Sequence, residues 1–149
     1  MFNLAHMYEE GDGIPKDDVK ALDLYSRASQ VGNPTALYSL GMRYLEGNGV
    51  RQDFTLAARM FGAAANRGNT DAQYNLGFMY YYGKGVDKDM FKARSLFSEA
   101  AKGWNDRAIY FLGIMYLSGE GVHRDERKGI GLLKLAAELG NEDAKHVLS

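Results

Sequence analysis

Three histidines and one pair of adjacent aspartates are the side chains of this sequence that most readily suggest chemistry. A histidine can ligate a metal or act as a general base, but His6, His123 and His146 form no His-Glu-x-x-His or His-x-Glu pair. Asp17 and Asp18 are adjacent, so at a helix start their side chains point in different directions. We therefore predict no catalytic residue and no metal site.

A phosphate-binding loop is the next possibility, because Lys84 stands between Gly83 and Gly85. A dinucleotide fingerprint needs a preceding strand and a third glycine, and a P-loop ends in Gly-Lys-Ser/Thr. Neither pattern is present. Cysteine is absent, and so are the Ser-x-x-Lys, Ser-Asp-Asn and Lys-Thr-Gly motifs of penicillin-binding enzymes. We predict no cofactor.

The glycine pair is instead part of a repeat, because it returns every 36 residues without insertion or deletion. A tyrosine three residues before the first glycine shares this spacing. Self-similarity at such a period predicts a solenoid of stacked units. The repeated residues are Tyr8, Tyr44, Tyr80 and Tyr116, then Gly11, Gly47, Gly83 and Gly119, then Gly13, Gly49, Gly85 and Gly121.

Composition excludes several classes of protein. The 149 residues carry a formal net charge of −1 with mixed signs, so a nucleic-acid binder, which shows a basic face, is not expected. No apolar run is long enough to span a bilayer and no signal-peptide pattern opens the sequence. Membrane insertion is therefore not expected. The compartment stays open: cytoplasmic, or periplasmic or secreted if a signal peptide precedes this sequence.

Each unit is predicted to be a pair of helices. An asparagine suited to an N-cap precedes the first helix, and an aspartate precedes the second. The first helix carries an apolar stripe at helical spacing, and the second carries small residues after a large apolar one. The predicted caps are Asn33, Asn69, Asn105 and Asn141 for first helices, and Asp17, Asp53, Asp89 and Asp125 for second helices.

Glycines have three predicted roles in this pattern. The first turn glycine suits a left-handed helix end. A mid-helix glycine at 41, 77 and 113 costs about 1 kcal/mol relative to alanine, so its return predicts close helix–helix approach. Second helices end near Gly32, Gly68 and Gly140, but the third unit has Trp104 at this position. We expect that helix to end one residue early. Trp104 then either packs over the neighbouring hairpin or stands exposed, and we favour packing.

The combined pattern, A-x-x-x-L-G-x-x-Y-x-x-G-x-G-V-x-x-D followed by a small residue, an aromatic and A-A, resembles the Sel1-like repeat family, relatives of the tetratricopeptide repeat. The unit from Ala72 to Ala101 matches throughout, and the resemblance covers essentially the whole chain. Departures include Gly129 for the small alanine and Leu133 for the aromatic, which makes the packing of the last hairpin less certain. The resemblance implies a right-handed α/α superhelix whose first helices line a concave groove. It also implies scaffold or adaptor roles in protein complexes, often in bacteria.

The predicted fold class is therefore an all-α solenoid of helix-turn-helix repeats forming a single repeat domain. Its opening residues match only the second half of a helix, so we expect the sequence to begin inside a repeat of a longer protein. The predicted boundaries are 1–32 for a partial first repeat, 33–68, 69–104 and 105–140 for three full repeats, and 141–149 for a capping or truncated helix.

If the chain binds a protein or peptide, the implied groove places the contact on the first helices. Scaffold positions should be alike in every unit and ligand positions need not be, so Phe78, Tyr81 and Tyr82 are candidates for binding as much as for packing between helices. For the tyrosine that recurs at 38, 74 and 110, packing between helices and binding both remain open. The candidate residues are Asn3, His6, Ser39, Met42, Tyr74, Asn75, Phe78, Tyr81, Tyr82, Phe111 and Ile114.

The predicted function is a non-enzymatic protein-interaction scaffold. Two alternatives stay open: a hydrolase or cell-wall-binding activity, as described for some relatives of the resembling family, and a structural spacer within a longer protein. The identity of the partner and the oligomeric state do not follow from the sequence.

Overall fold

The computed structural model of the protein describes residues 2–149. Over these residues the chain forms nine α-helices and no β-strand, which confirms the predicted all-α class. None of these helices combines the length and the apolar character that a bilayer crossing requires. The helices are α1 (Phe2–Glu10), α2 (Asp18–Gln30), α3 (Pro34–Glu46), α4 (Phe54–Asn66), α5 (Thr70–Tyr82), α6 (Met90–Lys102), α7 (Asp106–Ser118), α8 (Glu126–Glu138) and α9 (Glu142–Leu148).

The predicted caps are confirmed. In each case the side-chain Oδ1 accepts a hydrogen bond from the backbone N–H three residues later, which satisfies one orphan donor of the first turn. For the asparagine caps at 33, 69, 105 and 141 these bonds are 2.8–2.9 Å long. For the aspartate caps at 17, 53, 89 and 125 they are 3.0–3.1 Å long. The 36-residue period is thus a period of helix starts.

The turn between the two helices of a hairpin uses two glycines in the left-handed region. In the turn after α3, Gly47 has φ 70° and Gly49 has φ 77°, and the N–H of Gly47 donates to the carbonyl of Arg43. The other three turns have glycine φ values between 69° and 78°. A residue with a Cβ adopts this conformation only at a cost, so the turn explains why both glycines recur.

Close approach at the mid-helix glycine is also confirmed. In the hairpin of α5 and α6, a Cβ added to Gly77 would lie 2.9 Å from Cδ1 of Phe97, inside the usual carbon–carbon separation of about 3.5–4.0 Å. The second helix therefore inserts its large side chain where the first helix has none. The pairs Gly41–Phe61 and Gly113–Leu133 repeat this contact at 2.8 and 2.9 Å.

The last hairpin, whose packing the sequence left less certain, follows the same plan. Leu133 is buried and fills the place of the aromatic. A Cβ on Gly129 would lie 2.9 Å from both the carbonyl oxygen of Gly113 and the side chain of Leu117. Glycine replaces the small alanine there because α7 and α8 leave no room for a methyl group.

Residue contacts divide the chain into two compact units, one extending to Ala72 and the other running from Gln73 to Ser149. In the first unit α1 packs on α2, α2 on α3 and α3 on α4; in the second α6 packs on α7, α7 on α8 and α8 on α9. The core of the first unit includes Ala21, Tyr25 and Ala28, and the second has clusters around Phe97 and Leu133. The superhelical handedness remains a prediction.

A lysine near the start of the second helix lies over the tyrosine of the first helix in three hairpins. Such cation–π contacts contribute about 0.5–1 kcal/mol at exposed sites. In the α3–α4 hairpin the position of the lysine is taken by Leu56. The pairs are Lys20–Tyr8 at 5.3 Å, Lys92–Tyr80 at 5.2 Å and Lys128–Tyr116 at 4.6 Å from nitrogen to ring centroid.

The two expectations for Trp104 are wrong. The helix α6 ends at Lys102, at the same phase as the other second helices, and Trp104 takes the left-handed position with φ 61°. Its side chain is 66% exposed rather than packed. The backbone hydrogen bonds of the turn, Trp104 N–H to Ala101 and Asn105 N–H to Ala100, are those that the other units make with glycine. The turn geometry therefore prevails over the steric preference of the tryptophan.

Replacing a helical glycine by alanine usually stabilises a protein, but the close contact at Gly77 predicts that it destabilises this one. Replacing Gly77 by alanine should lower the free energy of unfolding by about 1–3 kcal/mol, because the added methyl overpacks the contact with Phe97. Gly131 in α8 is the matched control: a Cβ there meets no atom within 4 Å, so Gly131→Ala should raise the free energy of unfolding by about 1 kcal/mol. Urea unfolding followed by circular dichroism measures both. Equal stabilisation by the two changes would contradict the close approach.

Candidate protein-interaction surface

The second unit contains a continuous group of aromatic rings on two of its first helices. Tyr74, Phe78, Tyr81 and Tyr82 come from α5, and residues 110 and 111 of α7 add a tyrosine and a phenylalanine. We call these six residues the aromatic surface. Their spacing along α5 places them on one side of the helix.

Phe111 joins the rings of the aromatic surface to one another. Its ring centroid lies 5.1 Å from that of Tyr81, 5.4 Å from that of Tyr110 and 5.9 Å from that of Phe78. Beneath it, Phe97 of α6 stacks at 5.0 Å with an interplanar angle of 12°. Contacts of this kind contribute about 0.5–1.5 kcal/mol per pair beyond area burial, so the surface is anchored to the core of the hairpin.

Exposure differs sharply across the aromatic surface. Tyr82 is 54% exposed and contacts Phe78 at 4.7 Å and Tyr81 at 4.9 Å. The other five rings are half-buried. For the recurring tyrosine, packing and binding were both open. Tyr74 packs on the core, because its ring centroid lies 6.0 Å from that of Phe97, and it also lines a cavity.

The aromatic surface departs from the repeat. At the phase of Tyr82 the other repeats have Glu10, Glu46 and Ser118. At the phase of Phe111 the other repeats have Asn3, Ser39 and Asn75. The scaffold does not need rings at these positions, because the same hairpins form without them. The repeat therefore does not account for the rings of Tyr82 and Phe111.

A cavity of about 460 Å³ adjoins the aromatic surface, with Tyr74, Tyr110 and Phe111 in its lining. Its rim carries more negative than positive charge. Asp106 accepts a hydrogen bond from Asn141 Nδ2 at 2.9 Å. The charged lining residues are Asp106, Glu142 and Asp143 against Arg107, and Glu142 also pairs with Lys145 at 3.0 Å.

Burial raises the pKa of Tyr74, Tyr81 and Tyr110 above the ordinary tyrosine value. The carboxylate of Asp143 acts in the same direction on Tyr74 and Tyr110. The three hydroxyls are therefore protonated at physiological pH, where each can donate and accept a hydrogen bond.

The remaining sequence-predicted residues lie elsewhere on the first helices. In the first unit, Asn3 and His6 are exposed while Ser39 and Met42 are half-buried. In the second unit Asn75 and Ile114 are both half-buried, and Ile114 packs against the cluster around Leu133. The aromatic surface brings together Tyr74, Phe78, Tyr81, Tyr82 and Phe111 of the predicted set.

The first unit contains a buried polar network that the sequence analysis missed. Arg43 is 2% exposed, and its Nη2 donates to Glu9 Oε1 at 3.0 Å. The guanidinium lies over the ring of Tyr25 at 5.3 Å, and the Tyr25 hydroxyl donates to Glu9 Oε2 at 2.7 Å. Burial, followed by the hydrogen bond to Glu9, raises the pKa of Tyr25 well above its ordinary value.

A sequence signal for this network existed in the repeat itself. Glu9, Tyr25 and Arg43 stand at phases where the other 36-residue repeats have apolar or aromatic residues. The equivalents are Met7, Met79 and Met115 for Arg43, then Leu45, Tyr81 and Leu117 for Glu9, and Phe61, Phe97 and Leu133 for Tyr25. Three polar departures in neighbouring helices predict a mutual contact.

Ligand atoms of His6, Glu9 and Glu10 lie within 4.8 Å of one another, which is the spacing of a possible metal site. Glu9 is already held by Arg43 and Tyr25, and its Oε2 lies 3.6 Å from His6 Nδ1. A cation there would compete with the buried guanidinium. We assign no metal to this group, and the expected absence of a metal stays a prediction.

Comparison with known families gives a match over nearly the whole chain. The family model described as Sel1 repeat matches residues 1–33, 34–69, 70–103 and 106–141. No curated protein is a significant match.

Solved structures give matches of the same kind. The chain is similar to a protective antigen of uropathogenic Escherichia coli with an SLR fold, at 34% identity and a TM-score of 0.91. It covers 96% of this chain and 31% of that one. A Sel1 repeat protein from Oxalobacter formigenes matches at 30% identity and a TM-score of 0.89, covering 98% and 60%. Cysteine rich protein B of Helicobacter pylori matches at 25% and 0.67, covering 89% and 95%. The chain spans less than two thirds of the first two proteins.

The buried network predicts strong coupling among its members. Arg43→Met should lower the free energy of unfolding by about 2–3 kcal/mol, because Glu9 loses its cationic partner and Tyr25 loses the guanidinium over its ring. The triple variant Glu9→Leu/Tyr25→Phe/Arg43→Met installs residues that other units use at these phases. It should recover most of that loss, since apolar replacements of a buried pair are often neutral. Urea unfolding measures the free energy of unfolding of the single variants and of the triple variant. If the losses of the single variants add up to the loss of the triple variant, the network is contradicted.

Proposed function

This chain belongs to the Sel1 repeat family, and we propose that it is an interaction module that holds a segment of a protein partner against the aromatic surface. The Sel1 repeat is generally a protein–protein interaction fold and is generally non-enzymatic. We extend both properties to this chain. The proposal makes the aromatic surface the contact and Tyr82 its most accessible residue.

The main support for the proposal is that the exposed ring of Tyr82 packs on rings that are themselves held by the core. Tyr82 is 54% exposed, yet Phe78 and Tyr81 support it and Phe111 ties them to the core. A rigid aromatic side chain loses little entropy when a partner covers it, and tyrosine is enriched among residues that dominate binding energy.

The lining of the adjoining cavity supports a more specific partner. Tyr110 and Phe111 line it with aromatic rings and Asp106 and Asp143 with carboxylates, while Arg107 already lies over the ring of Tyr74 at 6.0 Å. Aromatic faces and carboxylates both attract a cation. We infer that the partner segment carries apolar side chains over Tyr82 and Phe78, next to a lysine or arginine that enters the cavity.

A peptide library displayed on phage and selected on the purified chain tests this function. Selected peptides should combine aliphatic or aromatic residues with an adjacent lysine or arginine. A labelled selected peptide should bind about tenfold more weakly to Tyr82→Ser/Phe78→Met, because buried aromatic contacts of this kind contribute more than about 1 kcal/mol. The substitutions copy Ser118 and Met42 of other units, so the hairpin should keep its fold, which circular dichroism checks.

Phe91→Thr is the matched control. Phe91 is also an exposed aromatic residue of the second unit, and the threonine copies Thr55. It should leave binding of the selected peptide unchanged. Equal weakening by both variants, or none by Tyr82→Ser/Phe78→Met, would overturn the proposal. Selection of acidic peptides without a cation, whose binding Tyr82→Ser/Phe78→Met weakens, would overturn the inferred partner chemistry.

A further inference from the structure

A second cavity in the second unit has the opposite charge. It measures about 700 Å³ and is formed by α6, α7, α8 and the turn between α7 and α8. None of its lining residues belongs to the aromatic surface. They are Phe91, Arg94, Tyr116, Gly119, Gly121, Val122, His123, Arg124, Asp125 and Lys128. We call this the basic cavity.

Positive charge is concentrated in this lining. The cavity is lined by three cationic side chains, Arg94, Arg124 and Lys128, and by one carboxylate, that of Asp125. This carboxylate already accepts a hydrogen bond from the backbone N–H of Lys128 at 3.0 Å. The whole chain has a formal net charge of −1. The basic cavity is therefore a local excess of cations and not part of a uniformly basic surface.

The cations are partly positioned but remain available to a ligand. Arg124 Nε donates to the carbonyl of Leu117 at 3.1 Å, which holds its side chain along the turn. Its Nη2 lies 3.9 Å from Glu126 in an exposed pair, an arrangement that contributes little and that another carboxylate can replace. Lys128 rests on the ring of Tyr116 at 4.6 Å.

Arg94 is the departure from the repeat in this cavity. Its equivalents are Leu22, Ala58 and Ile130, so the scaffold needs no charge at this phase. Arg94 is nevertheless half-buried at the cavity wall. In the preceding repeat Lys88 and Lys92 stand at the phases of Arg124 and Lys128, but Asp87 stands at the phase of His123, so the third cation, Arg94, is what distinguishes this cavity.

An apolar contact accompanies the charge. Phe91 is 72% exposed and lines the cavity together with Tyr116. A small inorganic anion would use the cations and leave this ring in water. A ligand that uses both must combine negative charge with an apolar side chain.

We propose that the basic cavity is a second binding site, which takes an acidic protein segment with an aromatic or aliphatic side chain among its carboxylates. Carboxylates pair with Arg94, Arg124 and Lys128, and the apolar side chain covers Phe91. Three clustered cations suit a short acidic segment, whereas a nucleic-acid backbone is usually followed by a longer basic stripe. The site is independent of the proposal for the aromatic surface, because the two share no residue.

Fluorescence anisotropy with a labelled oligo-aspartate peptide that has a central phenylalanine tests the site. Arg94→Ala/Arg124→Gln, which copies Ala58 and Gln52, should weaken binding by about tenfold or more, because it removes two of the three cations that pair with carboxylates. Binding should also weaken steeply as salt approaches about 1 M, where the Debye length falls to about 3 Å. Phe91→Thr should weaken binding of this peptide but not of a phenylalanine-free oligo-aspartate.

Two controls separate the site from general charge and from the aromatic surface. Lys134→Ser, which copies Ser98 and removes an exposed cation outside the cavity, should leave binding unchanged, and so should Tyr82→Ser/Phe78→Met. The proposal is overturned if no binding is detected at about 1 mM protein, which corresponds to about 4 kcal/mol of affinity. Equal binding of an asparagine version of the peptide, equal weakening by Lys134→Ser, or tighter binding of a single-stranded oligonucleotide would overturn it as well.

Discussion

The contact between a mid-helix glycine and a large side chain of the following helix is the constraint on which the α3–α4, α5–α6 and α7–α8 hairpins depend; the α1–α2 hairpin has the buried Ala5 at this position. Gly41, Gly77 and Gly113 lie so close to their partners that a Cβ would fall within 2.9 Å. Each glycine lowers helix stability by about 1 kcal/mol relative to alanine. In return it allows a close contact that fixes how the second helix lies on the first. The caps and the left-handed turn then keep the helix ends in register with this contact.

Because the scaffold is specified by few positions, the remaining ones are free to diverge between units. The first unit uses that freedom for the network of Glu9, Tyr25 and Arg43, where other units have apolar or aromatic residues. The second uses it for an aromatic surface centred on Phe111 and for the cations at the wall of the basic cavity. Trp104 extends the same freedom to a turn, since backbone hydrogen bonds hold it at φ 61°.

The repetitive part of the structure followed from the sequence, and the departures from it did so less completely. Caps, turn glycines and close approach at Gly77 are local consequences of residue type and spacing. The prediction for Trp104 failed because it weighed the steric cost of one residue, of about 1–2 kcal/mol, without the hydrogen bonds of the turn. The contact of Glu9 with Arg43 joins residues 34 positions apart, and pairing across helices requires that the departures in different units be compared together. Such a comparison made Tyr82 a candidate for binding, and its role stays a prediction.

The central claim is that the aromatic surface on α5 and α7 is the binding surface of the chain. Chemical-shift mapping of the ¹⁵N-labelled chain with an apolar peptide that carries a lysine or arginine, selected on it by phage display, tests this most directly. The account predicts that the largest backbone amide shifts fall at residues 74–82 and 110–114, with weak changes at the repeated cap and turn positions. Shifts of equal size at corresponding positions of all four first helices α1, α3, α5 and α7, or shifts confined to the second helices, would contradict it.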